Sequence, residues 1–308
     1  MTESQIYTDL ASEARELHPE LPGIHEQTET CGMVHISRIE IDNQQSAEKI
    51  GKLCGRYITM DIPALSEREA EAFSETKDKL AHEIHSLLGN LSEDATILVA
   101  GLGNRYVTPD SFGPRVAEKV FVTRHITQYM PDALSYKLRA VCAISPGVLG
   151  ITGVETYDII KGLVEKLRPD AVIITDALAS RRAARISTTI QLTDTGISPG
   201  SGVGNMRAAL SRNSLGVPVI AIGVPMVVYA TTIARDTISL IADKTGLHND
   251  EQRLLSLADE VINENIGPMV VTPKDIDSIV EDMTGIVADG INHALHGSHY
   301  DDIAEILG

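Results

Sequence analysis

The 308-residue chain is long for one domain but within the range of an α/β fold. It is 43% hydrophobic yet 4% aromatic, with three Phe and no Trp, so its core must come mainly from Val, Ile, Leu and Ala, as in buried parallel strands with covering helices. The formal charge of -17, from 26 basic and 43 acidic residues, repels phosphate backbones and argues against a nucleic-acid partner, and no apolar run approaches the ~20 residues of a membrane span.

The N-terminal MTESQIYTDLASEARE is polar and acidic, which reads as neither a signal nor a transit peptide and predicts a cytoplasmic protein. Cys31, Cys54 and Cys142 are an odd count without a CxxC pair and read as reduced thiols rather than a disulfide framework or a zinc site. The first ~30 residues have no core-forming period and carry Pro19, Pro22 and Gly23, so they read as an arm. The alternating 33-MVHISRIEID-42 predicts a half-buried strand, and 56-RYITMDIP-63 a second. Ser66 and Glu69 have capping-box spacing for a helix through about Leu88, ended by Gly89-Asn90.

The pattern then becomes regular. Residues 97-ILVAG-101 form an apolar strand, Pro114 marks a helix start, 138-LRAVCAIS-145 is a strand and 154-VETYDIIKGLVEKL-167 an amphipathic helix. The apolar 171-AVIIT-175 is followed by Asp176 and an Arg-rich segment, 186-ISTTIQLTDT-195 is extended, and 217-VPVIAIGVP-225 leads into a helix from about Val228 to Thr245. Helices follow, with Thr272, Pro273 and Asp275 placed as cap, first turn and capping-box partner of one. Strand and helix alternate, so the expected fold is α/β, a mostly parallel sheet with helices on both faces and right-handed crossovers. With no repeat or low-complexity linker, we expect one domain behind an N-terminal extension.

Several motifs fail on their own chemistry. Gly196-Ile197-Ser198-Pro199-Gly200 fits GxSxG, but the residue after the serine must donate its N–H to the oxyanion, and Pro199 has none. Asp194-Thr195-Gly196 matches the triplet of pepsin-like enzymes, which pair two such triplets in all-β folds. Gly200-Ser201-Gly202-Val203-Gly204 is neither GxGxxG nor a P-loop, so no nucleotide cofactor is expected. His82 and His85 lack HExxH spacing. His293, His296 and His299 would share one helical face, where solvated histidines are the commoner outcome, and no metal site is expected.

Two aspartates remain, Asp110 after the loop that follows 97-ILVAGLGN-104 and Asp176 at the end of 171-AVIIT-175. Open α/β sheets bind ligands outside such strand ends. Either aspartate alone would more often close a turn or cap a helix.

The stretches GLGNRYVTPDSFGPRV, ISPGVLGITGVET, DAVIITDALASRR and TIQLTDTGISPGSGVGN, in order across residues 97 to 205, resemble successive landmarks of the germination protease family of spore-forming bacteria. The resemblance implies a core similar to hydrogenase-maturation proteases and an atypical aspartic endopeptidase with catalytic Asp110 and Asp176 and no cofactor. It implies a homotetramer of the forespore and spore core that degrades small acid-soluble spore proteins during germination. It also implies an inactive precursor. Residues 8-TDLASE-13 resemble the family's substrate motif, which places self-cleavage between Asp9 and Leu10 and divides the chain into a propeptide, 1–9, and a protease domain, 10–308. Asn104, with the Gly101 and Gly103 amides, is a candidate for orienting substrate. Arg181, Arg182 and Arg185 are candidates for attracting the acidic residue before the cut. Two readings compete: a metal-dependent maturation-type peptidase on the same scaffold, and a non-enzymatic α/β binding protein whose aspartates are structural.

Overall fold

The computed structural model describes residues 8–130, 138–198, 208–246, 251–265 and 269–307. In chain order the elements are α1 (Ala11–Leu17), β1 (Ile24–Cys31), β2 (Val34–Ile41), α2 (Gln44–Lys49), β3 (Gly55–Asp61), α3 (Ala70–Leu88), β4 (Thr96–Gly101), α4 (Phe112–Lys119), α5 (Arg124–Tyr129), β5 (Ala140–Ile144), α6 (Leu149–Thr152), α7 (Thr156–Leu167) and β6 (Ala171–Ser180). They continue with β7 (Thr189–Thr193), α8 (Arg212–Leu215), β8 (Val219–Tyr229), α9 (Ala230–Thr245), α10 (Glu251–Asn265), β9 (Val270–Val271), α11 (Ile276–His296) and α12 (Tyr300–Leu307).

One sheet runs through the molecule in the order β1-β2-β3-β7-β8-β6-β4-β5, with β9 on β8. The α/β class holds. The parallel part is β5-β4-β6-β8. From β8 outward through β7, β3, β2 and β1 the pairing is antiparallel, so the sheet is mixed rather than mostly parallel. The physical reason lies in the connections: β1 and β2 are joined by a tight turn at Gly32, φ 56°, which permits only an antiparallel pair.

The parallel strands are apolar along their length. β4 and the first half of β6 present buried Ile97, Leu98, Val99, Val172, Ile173 and Ile174, alternating between two faces. On one face α3, α4 and α11 close a core around Leu80, Phe112, Met283 and Val287. On the other, Leu98, Ala100 and Ile174 pack on Ile160 and Val164 of α7. Burying both faces is what a continuous Val/Ile/Leu strand requires.

The N-terminal segment is more than an arm. Leu10, Ala11 and Ala14 are buried, and the two alanines share a small core with Ile24, Ile39, Ile41 and Tyr57 at the antiparallel end of the sheet. Two predicted caps take other forms. Ser66 ends in a 3-10 turn and donates its hydroxyl to the Pro63 carbonyl, 2.7 Å away, while Glu69 takes the N-cap of α3. Asp275 is itself the N-cap of α11, without a side-chain cap bond.

Candidate active site

β4 and β6 are adjacent and in register, with Gly101 opposite Thr175, and the Leu102 amide extends the pairing by donating to the Thr175 carbonyl at 2.8 Å. The chain leaving β4 therefore starts beside Asp176. Two glycines set its path. A Cβ on Gly101 would lie 2.0 Å from the Gly113 carbonyl oxygen, so α4 rests directly on β4. Gly103 has φ +117°, and a Cβ there would fall 2.1 Å from the Asp110 carbonyl oxygen. The loop thus folds tightly back on itself and delivers Asp110 to the end of β4, where the Asn104 amide donates to Asp110 Oδ2 at 2.8 Å. The Asn104 side chain accepts the Tyr106 amide at 3.0 Å and shapes the turn.

Asp176 lies within β6 rather than at its end, since the strand continues to Ser180 with an irregularity against β8 at Leu178/Ala179. Its Oδ1 accepts its neighbour's amide, Ala177 N–H, at 2.9 Å. Burial, then the nearby Asp110, then Asp9, push its carboxyl well above the usual carboxylate range, against the Ala177 hydrogen bond. These carboxyls line one cavity of about 560 Å³ that also includes Lys52, Gln191 and Tyr229. Burial, with a contribution from Asp9, raises the Tyr229 phenol to about 12.

Asp9 reaches this cavity because the segment before α1 is tied to β6. The Asp9 amide donates to the Ala179 carbonyl at 2.9 Å, and the Ala179 amide donates to Asp9 Oδ2 at 2.8 Å. Leu10 and Ala11 are fully buried. The Glu13 carboxylate, also fully buried, accepts the amides of Arg181 at 2.7 Å and Arg182 at 3.0 Å and the Thr8 hydroxyl, with Arg185 Nε at 3.4 Å. The segment is therefore held by main-chain pairing on one side of the Asp9–Leu10 bond and by a carboxylate socket on the other.

The arginine side chains pair with other carboxylates. The Arg181 guanidinium binds Asp236 at 2.9 Å, Arg182 pairs with Glu16 at 2.7 Å, and Arg185 joins Asp61 at 2.8 Å to Glu16 at 3.0 Å. The acidic residues served by the 181–185 segment thus lie after Leu10 rather than before it. Asp194 accepts from the Arg56 amide at 2.8 Å and from its Nε at 2.7 Å, a tie between β3 and the end of β7. Pro199 and Gly200 of the GxSxG match, and the whole glycine-rich run 200–204, lie outside the described residues.

His82, His85, His293, His296 and His299 gather around a separate cleft of about 410 Å³. Burial lowers His296 to about 4. Among the described residues no group of three or more His, Cys, Asp or Glu is placed to hold a metal ion, and no helix is long and apolar enough to cross a membrane.

Lys52 and Gln191 were not among the residues singled out from the sequence. Lys52 carries no local motif. Gln191 left one signal, a large amide in the otherwise β-branched and apolar 189-TIQLT-193, where an unpaired polar group would be costly.

Fold and cavity together define an α/β protein with a carboxylate-lined cleft at the ends of its parallel strands. A model of the germination protease family matches residues 2–256 and 244–306. The chain is 46% identical to a germination protease of Caldanaerobacter subterraneus, covering 94% of each chain, and 43% identical to one of Clostridium acetobutylicum, covering 95% of each. To the germination protease of Bacillus subtilis it is 39% identical, over 94% of this chain and 93% of the relative. Among solved structures, a NiFe hydrogenase maturation protease from Thermococcus kodakarensis aligns over 68% of this chain and 98% of its own, with TM-score 0.35 and 15% identity. The chain belongs to the germination protease family and is a peptide-bond hydrolase.

Proposed function

We propose that this protease uses Asp110 and Asp176 as its acid–base pair, is made as a precursor that cuts itself between Asp9 and Leu10, and degrades small acid-soluble spore proteins in the germinating spore. The proposal includes a homotetramer in the forespore and spore core. The observation that carries it is the joint placement of Asp9, Asp110 and Asp176 in one cavity, with Asp9 hydrogen-bonded to Ala179 of β6 just before α1 begins.

The chemistry needs one ionised and one protonated carboxyl. Asp176, desolvated and beside two other acids, is suited to hold the proton. Asp110 then takes a proton from water as the water oxygen bonds to the Asp9 carbonyl carbon. The tetrahedral adduct collapses, the C–N bond breaks, and the Leu10 nitrogen leaves with the Asp176 proton. In the cleaving state the two carboxyls stand within direct or one-water hydrogen-bonding reach.

The test is self-processing of the purified full-length chain. Asp110→Asn and Asp176→Asn should remain folded and uncut, and the parent should yield a chain beginning at Leu10. A different new N-terminus, or processing by purified Asp176→Asn, overturns the reading.

A further inference from the structure

Gln191 and Lys52 converge on a single oxygen, the carbonyl of Asp9. Lys52 Nζ donates to it at 2.7 Å and Gln191 Nε2 at 3.1 Å. Both distances fall in the range for donors that hold a developing oxyanion. Resting on the proposed cut between Asp9 and Leu10, we propose that Lys52 and Gln191 are catalytic residues, the two donors of an oxyanion clamp that polarises the scissile carbonyl and stabilises the adduct formed from it.

The Gln191 amide straddles the bond to be cut. Its Oε1 accepts the Ala11 amide at 2.6 Å while its Nε2 donates to the Asp9 carbonyl. That pairing fixes which end of the amide faces each partner, and it aligns the peptide from both sides of the Leu10 nitrogen. The side chain starts from β7, where residue 191 pairs with Thr59 of β3 and Gly223 of β8, so its base sits in the middle of three hydrogen-bonded strands. A donor mounted on such a support needs little reorganisation when charge appears on its acceptor.

Lys52 reaches the same oxygen from the opposite element. Its amide is tied to the Ala47 carbonyl of α2 at 2.9 Å, and its ammonium, besides the Asp9 carbonyl, meets the Thr8 carbonyl at 3.2 Å. An ammonium withdrawn from water is normally matched to a carboxylate. Here burial works against the charge while the Asp9 and Glu13 carboxylates favour it, and the ammonium donates to two neutral carbonyls, an arrangement in which its attraction strengthens as the Asp9 oxygen acquires negative charge during attack. Neither donor would be needed merely to dock the leader, which Ala179 and the Glu13 socket already hold.

The experiment follows first-order self-processing of purified full-length chains in which the leader stays docked, as judged by protection of residues 8–17 from an added protease. Lys52→Ala and Gln191→Leu should each process about 10²–10³-fold more slowly than the parent, the loss expected for one oxyanion donor. Added ethylammonium should restore part of the Lys52→Ala rate and none of the Gln191→Leu rate, a response that a packing role would not give. Rates within threefold of the parent in both variants, or a slow Lys52→Ala chain that stays docked and gains nothing from the amine, overturn the clamp. Should Lys52→Ala not fold, Gln191→Leu and Gln191→Glu carry the test alone. Asp176→Asn is run alongside. If it is inert and the parent begins at Leu10 while the clamp variants process normally, only the clamp fails. If Asp176→Asn itself processes, the underlying reading fails instead.

Discussion

Gly103→Ala tests whether the loop after β4 positions Asp110 for the proposed acid–base role. The backbone there has φ +117°, a conformation that costs a residue with a side chain about 1–3 kcal/mol. The added Cβ would also meet the Asp110 carbonyl oxygen at 2.1 Å. A relaxed carbon–oxygen contact needs about 3.3 Å, so one side must retreat by roughly 1 Å. Main chain cannot escape by changing rotamer, and the segment that gives way carries Asp110 and its bond from the Asn104 amide. An ångström of misplacement can cost about 10²-fold in rate. The strain alone should lower Tm by roughly 2–12 °C, at about 2–4 °C per kcal/mol in a large domain. Self-processing rate and thermal melting on the same preparation provide the assay. Gly162→Ala in α7 is the control: nothing lies within 4 Å of its Cβ, and it should stabilise the helix by about 0.5–1 kcal/mol. A folded Gly103→Ala chain that processes at more than a third of the parental rate would refute the argument.

Two further outcomes follow from buried carboxylates. Asp176 has a folded-state pKa raised above its ordinary 3.8, so the native chain binds that proton more tightly than the unfolded one. It loses stability as pH climbs from 3.8 through the raised value, by about 1.4 kcal/mol for each pH unit between the two. Asp176→Asn should therefore melt higher than the parent at neutral pH and equally at pH below 3.8; a variant less stable at neutral pH contradicts this account. Glu13→Gln replaces a carboxylate that accepts two amides and a hydroxyl beside Arg185. Loss of about 1–3 kcal/mol of charge-assisted bonding should raise local opening of residues 8–17 roughly 5- to 150-fold, read by hydrogen exchange, and unchanged protection would dismiss the socket.

The parallel half of the fold was legible because its signals are local. Runs such as 171-AVIIT-175 and the amphipathic 154–167 segment declare themselves within one window. β1 did not, because only Ile24 of its eight residues is buried, so an edge strand with two wet faces left no alternation to read. Residues 8–17 looked like an arm for a related reason. Their apolar positions are too few for a helical period, and Leu10 and Ala11 are covered by distant parts of the chain. Asp110 and Asp176 were visible as aspartates near strand ends, but their sharing of a cavity depends on the β4/β6 pairing and on the turn at Gly103. Lys52 and Gln191 lie 43 and 182 residues from Asp9, and no sequence window contains that geometry.

If residues up to Asp9 are a leader, as proposed, their docking separates two kinds of recognition. Pairing between Asp9 and Ala179 uses main chain for all but the carboxylate, and it would accept any extended peptide with an acidic residue at that point. Selectivity must then come from Leu10, Ala11 and Glu13, whose side chains are fully enclosed. A pocket closed around a methyl group rejects larger residues through overpacking, and a socket of amides and an arginine rejects a neutral residue by leaving donors unpaired. With the proposed cut between Asp9 and Leu10, the discriminating contacts lie on the leaving-group side of the bond. Under the proposed function, the segment beginning at Leu10 keeps those contacts after the cut. It must withdraw from them before a second chain can bind in the same register, so its undocking, and not hydrolysis of its own leader alone, governs when the cleft becomes open to other proteins.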